Sequence, residues 1–110
     1  MQEFTERDWK TLRRLKPLAL ERLTRRILEG AQEIIASAEE GKSHDAYLKL
    51  FRYIDEQDKI VADCFDDWRR STADIKLLYW RRYELITDEE FQAFTPETRD
   101  SIDYWLKPRE

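Results

Sequence analysis

The segment Trp68-Arg69-Arg70-Ser71-Thr72-Ala73-Asp74-Ile75-Lys76-Leu77-Leu78-Tyr79-Trp80-Arg81-Arg82 decides the fold, because it either continues the helix before it or ends it. The apolar phase set by Tyr47, Phe51, Ile54, Val61, Phe65 and Trp68 carries on through Thr72, Ile75 and Tyr79 to Ile86 without a slip, as one unbroken helix would. A helix from Ser43 to Ile86 would be about 65 Å long at ~1.5 Å per residue, too long for a compact chain of this size. Ser71-Thr72-Ala73-Asp74 reads instead as a helix start, with short polar side chains that compete for backbone hydrogen bonds. A break or sharp kink near Ser71 is therefore expected, with a third helix over about residues 44–70 and a fourth over about 72–86. An unbroken helix would need a second subunit to cover its excess length.

Upstream, Thr5 followed by Glu6, Arg7 and Asp8 forms an N-cap with acids in the first turn, which opens a short helix to about Leu15. Pro17 cannot donate to a helix interior but suits the first turn of a new helix, so a second helix is expected over about residues 17–40. Within it Leu20, Leu23, Ile27, Ala31, Ile34 and Ala38 recur at three- and four-residue steps, and Leu28 and Ile35 widen the stripe. Gly30 costs about 1 kcal/mol against Ala inside a helix, which a tight helix crossing would explain. Gly41 supplies a left-handed terminator and Ser43 a cap, so the second and third helices form an antiparallel hairpin. Downstream, Thr87 with Glu90 makes a capping box, and Thr95-Pro96 a cap followed by proline at the first helical position. Two short C-terminal helices follow, near Asp88–Phe94 and Pro96–Leu106, whose Phe91, Phe94, Ile102, Trp105 and Leu106 should fold back on the bundle. The expected object is an all-α, single-domain small helical bundle spanning residues 1–110.

Composition supports that class and excludes others. Two glycines and three prolines are too few for the many tight turns of a sandwich or barrel. A 40% charged fraction combined with 13% aromatic residues describes a folded core under a charged skin rather than a disordered chain. The one cysteine, Cys64, has no internal partner and lies among apolar neighbours, which suits a buried thiol in a reducing cytoplasm. The apolar runs fall far short of the ~20 residues of a membrane span, and the N-terminal stretch lacks signal-peptide character. Charge alternates along the chain: residues 1–26 carry +4, 27–67 carry −7, 68–82 carry +4 and 83–110 carry −5. Opposite blocks can lie side by side, or the basic blocks can face outward together.

The sequence supplies few parts for catalysis. Gly41-Lys42-Ser43 echoes the end of a phosphate-binding loop, but the first glycine of that pattern falls at Ala36 and a helix precedes it where a strand is required. His44, the only histidine, reads as a solvated first-turn side chain, and one His with one Cys cannot build a zinc site of the usual kind. Asp55, Asp58, Asp63, Asp66 and Asp67 could hold a metal only if they converged, and helical spacing scatters most of them around the circumference. No cofactor or metal is expected.

The repeated Trp-Arg-Arg word is the most distinctive feature, since Trp and Arg are the residues that most often anchor interfaces. On a continuous helix Arg70 and Arg81 lie within about 20° of each other and Trp68 and Trp80 about 120° apart, so one Trp would enter the core. Arg69, Arg70, Trp80, Arg81 and Arg82 are accordingly the candidate contact surface; the alternative is that both tryptophans are core and the arginines pair within the fold. The expected function is a small cytosolic helical protein–protein interaction module of adaptor, inhibitor or regulatory type, self-associating or with a protein partner, without catalysis. Two alternatives stand beside it. One is a nucleic-acid-binding accessory protein using the arginine pairs on phosphates, which the net charge of −4 counts against; the other is a metal-dependent all-α hydrolase using acids of the third helix.

Overall fold

In the computed structural model, which describes residues 3–108, the chain is all-α. Its helices are α1 (Glu6–Ala36), α2 (Ser43–Phe65), α3 (Ala73–Arg82), α4 (Asp88–Phe91) and α5 (Pro96–Leu106), with one 3-10 turn at Arg70–Thr72. α1 and α2 form the expected long hairpin, and the remaining helices pack around its open end.

Pro17 does not divide the chain: the two helices expected on either side of it are one helix of 31 residues. The missing N–H forfeits the bond to the Arg13 carbonyl, at a cost of about 3 kcal/mol in a helix interior. Leu12 and Leu15 before Pro17 and Leu23 after it are buried in one core, at about 1.5–3 kcal/mol each, so continuity wins. Pro17 itself is exposed. α1 ends at Ala36 rather than near Glu40. Gly41 has the left-handed backbone its identity suggests (φ +82°) but sits within the loop, and Lys42, not Ser43, occupies the cap position of α2 without a side-chain cap bond.

The break after α2 is present and comes earlier than Ser71. Asp66 and Asp67 oppose the negative end of the helix dipole, and Asp67 turns the chain with φ +52°. The Thr72 hydroxyl then ties the turn by donating to the Asp67 carbonyl at 2.7 Å and accepting from the Arg69 N–H at 3.2 Å. α2 thus ends at Phe65 rather than near residue 70, and α3 covers Ala73–Arg82 rather than 72–86. The apolar phase does not continue as one buried stripe: Phe65 is buried, but Tyr47, Phe51 and Ile54 before the turn and Ile75 after it are exposed, and α3 buries Ala73, Leu77 and Trp80 instead. The Thr87–Glu90 capping box forms in both directions, but α4 stops at Phe91 rather than Phe94; α5 has its expected bounds.

The core gathers Leu12, Phe65, Leu77, Trp80, Leu85, Phe94 and Ile102 at the open end of the hairpin. The distal halves of α1 and α2 project from it. The molecule measures 56 × 35 × 25 Å, and its 17.1 Å radius of gyration exceeds the ~13 Å of a compact chain this long. Gly30 marks the close approach along the projecting hairpin: the Tyr53 ring lies against it, and the Tyr53 hydroxyl donates to the Arg26 carbonyl at 3.4 Å.

Candidate interaction surface

The two Trp-Arg-Arg words are brought together, and the structure buries their tryptophans. Trp80 has no exposed surface; its indole N–H donates to the Cys64 carbonyl at 3.0 Å, and its ring stacks on Trp68 with centroids 5.8 Å apart. Trp68 is half-buried between Trp80, Trp9 and the Lys16 ammonium, which lies 4.3 Å from its ring centre. Trp80 therefore cannot belong to an exposed contact surface. The physical reason is the Asp66–Arg69 turn, which resets the helical phase and aims both rings inward.

The arginines are largely occupied within the fold. Arg69 pairs with Asp67 at 2.7 Å, a contact that holds the exposed Asp67 carboxyl below its ordinary pKa. Arg70 donates to the Phe4 carbonyl at 2.7 Å and to Glu6 at 3.1 Å. Arg81 pairs with Asp88 at 2.8 Å and lies over the Phe91 ring. Arg82 is exposed over Tyr79. Arg22 and Arg26 of α1 behave alike: Arg22 forks onto Glu90 at 2.6 and 3.1 Å, and Arg26 donates to the Tyr83 and Glu84 carbonyls at the end of α3. The Arg22 hydrogen bond, ahead of other influences, holds the Glu90 carboxyl below its ordinary pKa. Opposite charge blocks thus lie side by side: the basic start of the chain meets the acidic C-terminal quarter.

Two features stand out that sequence reasoning placed differently. Asp8, expected to serve only its own helix N-terminus, is fully buried and accepts three hydrogen bonds: from the Thr95 N–H, the Thr95 hydroxyl and the Thr98 hydroxyl, at 2.9, 2.7 and 2.6 Å. It ties the start of α5 to the first turn of α1, and the Thr95 hydroxyl, directed to Asp8, makes no cap bond within α5. No signal in the local sequence separates this role from an ordinary first-turn acid. The second feature was visible as an apolar stripe on each of the two long helices, and the structure leaves part of each stripe uncovered. Leu28 and Ile35 of α1 are 68% and 61% exposed, and Tyr47, Phe51 and Ile54 of α2 are 63%, 61% and 42% exposed.

These five residues share one side of the hairpin. On α1, Leu28 and Ile35 lie about 100° round the helix from the half-buried Ile27 and Ile34; on α2, Tyr47, Phe51 and Ile54 lie about 100° in the same sense from the half-buried Leu50 and Tyr53. Equal rotations on antiparallel helices end on the same side of the pair. The result is a continuous apolar face, of which α2 supplies two aromatic rings. It carries roughly 500–600 Å² of exposed apolar residue surface, taking about 150–250 Å² per large side chain, the upper end of what a monomer shows in one patch.

The remaining candidates carry less chemistry. His44 is exposed and stacks on Tyr47. Asp55, Asp58, Asp63, Asp66 and Asp67 do not converge; among the described residues no group of three or more His, Cys, Asp or Glu is placed to hold a metal ion. Cys64 is buried, and burial pushes its thiol up to about 12, far from a reactive thiolate. Among the described residues no helix is long and apolar enough to cross a membrane. No family model, no curated protein and no solved structure matches the chain.

Proposed function

We propose that the chain is a small helical protein–protein interaction module working in the cytoplasm, and that its contact surface is the apolar side of the projecting α1–α2 hairpin. The observation that carries this reading is the exposure of Leu28, Ile35, Tyr47, Phe51 and Ile54 together on one side of two helices that a smaller bundle would not need. Aromatic and aliphatic anchors of this kind supply most of the energy of protein interfaces. The arginines support the same choice, because Arg22, Arg69, Arg70 and Arg81 already hold carboxylates, which leaves little of a basic patch for a phosphate backbone. The buried unpaired thiol of Cys64 is compatible with a reducing compartment.

The test compares capture by the intact chain and by Leu28→Glu and Phe51→Glu variants, with Arg82→Glu as a control outside the face. Circular dichroism verifies that all three remain helical. The expected result is association in the parent and the control that is lost in both face variants. Equal capture by all four proteins overturns the reading.

A further inference from the structure

We infer that the occupant of this face is a second copy of the same chain, docked hairpin on hairpin as a four-helix bundle; the inference rests on the interaction-module reading and names its partner. An antiparallel helix pair with apolar residues along one side is half of such a bundle, and the surface that complements it best is an equal pair of stripes. Two-fold pairing lets each copy offer the same patch, so Phe51 and Leu28 of one protomer meet the equivalent face of its partner. The area agrees: roughly 500–600 Å² of apolar surface per copy, with its polar rim, approaches the ~800 Å² per partner of a standard stable interface.

Charge placement favours a copy over a basic peptide. Residues 27–67 carry −7, which by itself would suit a cationic amphipathic helix. Yet Glu29 and Glu33 on α1, and Asp45 and Glu56 on α2, lie more than about 100° round their helices from the centre of the apolar face. These four acids line the far side of the hairpin, where they would neither grip a basic partner on the face nor collide when two faces meet. Asp58 lies on the line of the stripe itself, one turn beyond Ile54 toward the core end, and Asp55 flanks the stripe about 70° from its centre. The projection of the hairpin beyond the core leaves room for the second copy along its length.

Sedimentation equilibrium of the full chain from low to high micromolar concentration tests the inference. The expected species is a dimer of the 13.5 kDa chain, with Leu28→Glu and Phe51→Glu each weakening self-association by about tenfold or more while Arg82→Glu leaves it unchanged. Raising the salt concentration should leave the dimer intact or strengthen it, because screening acts on the outward acids. A monomer at every concentration, or a dimer indifferent to both face variants, overturns the inference. A monomer that still captures another protein through Leu28 and Phe51 overturns self-pairing but keeps the interaction-module reading; a monomer that captures nothing through the face overturns both.

Discussion

Asp8 near the start of the chain holds Thr95 near its end: one carboxylate oxygen accepts the Thr95 N–H at 2.9 Å and the other the Thr95 hydroxyl at 2.7 Å, with no solvent access to Asp8. The contact puts one negative charge at the N-termini of α1 and α5 together and joins the long hairpin to the last helix. Asp8→Ala leaves the Thr95 amide and two hydroxyls without their acceptor, and is expected to lower stability by about 3–5 kcal/mol; Asp8→Asn, which keeps one acceptor, should cost about 1–2 kcal/mol. Urea unfolding reads both, and equal losses would show that filling the site and keeping one acceptor contribute nothing without the second carboxylate oxygen.

Trp80 is the centre of the core rather than a contact residue. Trp80→Ala removes a ring packed on Trp68 and Phe65 and frees the Cys64 carbonyl, so a loss of about 3–5 kcal/mol and a collapse of the cooperative transition are expected. Arg82→Glu, on the exposed side of the same helix, should stay within about 0.5 kcal/mol of the parent. Thermal melts followed by circular dichroism separate the two; a Trp80→Ala variant as stable as the parent would contradict the packing.

Pro17 interrupts the hydrogen-bond ladder of α1 while pointing outward. Pro17→Ala restores an N–H aimed at the Arg13 carbonyl and relieves the ring's crowding of that turn. The change should stabilise the protein by about 1–3 kcal/mol, visible as a higher urea midpoint at unchanged slope. A destabilised variant would mean that the backbone geometry Pro17 imposes is itself needed for packing.

The sequence carried the helices further than it carried their surroundings. Capping signals at Thr5 and Thr87 and the proline at residue 96 are local chemistry, and the structure uses each as a helix start. Pro17 misled because its penalty is local whereas the burial of Leu12, Leu15 and Leu23 that overrides it is tertiary. Tyr47 and Phe51 repeat at core spacing, and periodicity identifies an apolar side without saying whether a partner covers it. The Asp8–Thr95 bond spans 87 residues, a separation at which no local pattern speaks. The Trp-Arg-Arg repeat was conspicuous for its residue types, yet the turn at Asp67 determines where they point.

Cys64 gives the protein an alkaline limit. Burial first, and then the charge of Asp63, raise its folded pKa to about 12, above the ~8.5 of an unfolded thiol. A raised folded pKa contributes stability that is complete below about pH 8.5 and is lost as pH climbs toward 12, by at most about 1.4 kcal/mol per pH unit. Stability should therefore fall over that window more steeply in the parent than in Cys64→Ala. Thiol-specific reagents at pH 8 should label Cys64 only at the rate of unfolding; rapid labelling of the folded protein would show that the thiol is accessible.

Gly30 and Tyr53 offer a test of how closely the two long helices approach. A methyl group at residue 30 would meet the Tyr53 hydroxyl and lie 2.6 Å from its ring carbon Cζ, so the ring must move to admit it. Alanine improves helix propensity by about 1 kcal/mol, while overpacking a contact of this kind costs about 1–3 kcal/mol. Gly30→Ala alone should therefore destabilise the hairpin by about 1 kcal/mol. In a Tyr53→Ala background the space is open, only the propensity gain remains, and the same substitution should stabilise by up to about 1 kcal/mol. The change of sign corresponds to a coupling of about 1–2 kcal/mol in a double-mutant cycle. If the Tyr53 ring simply swings outward, Gly30→Ala will stabilise in both backgrounds and the coupling will vanish, which would mean that the crossing is looser than the contact implies.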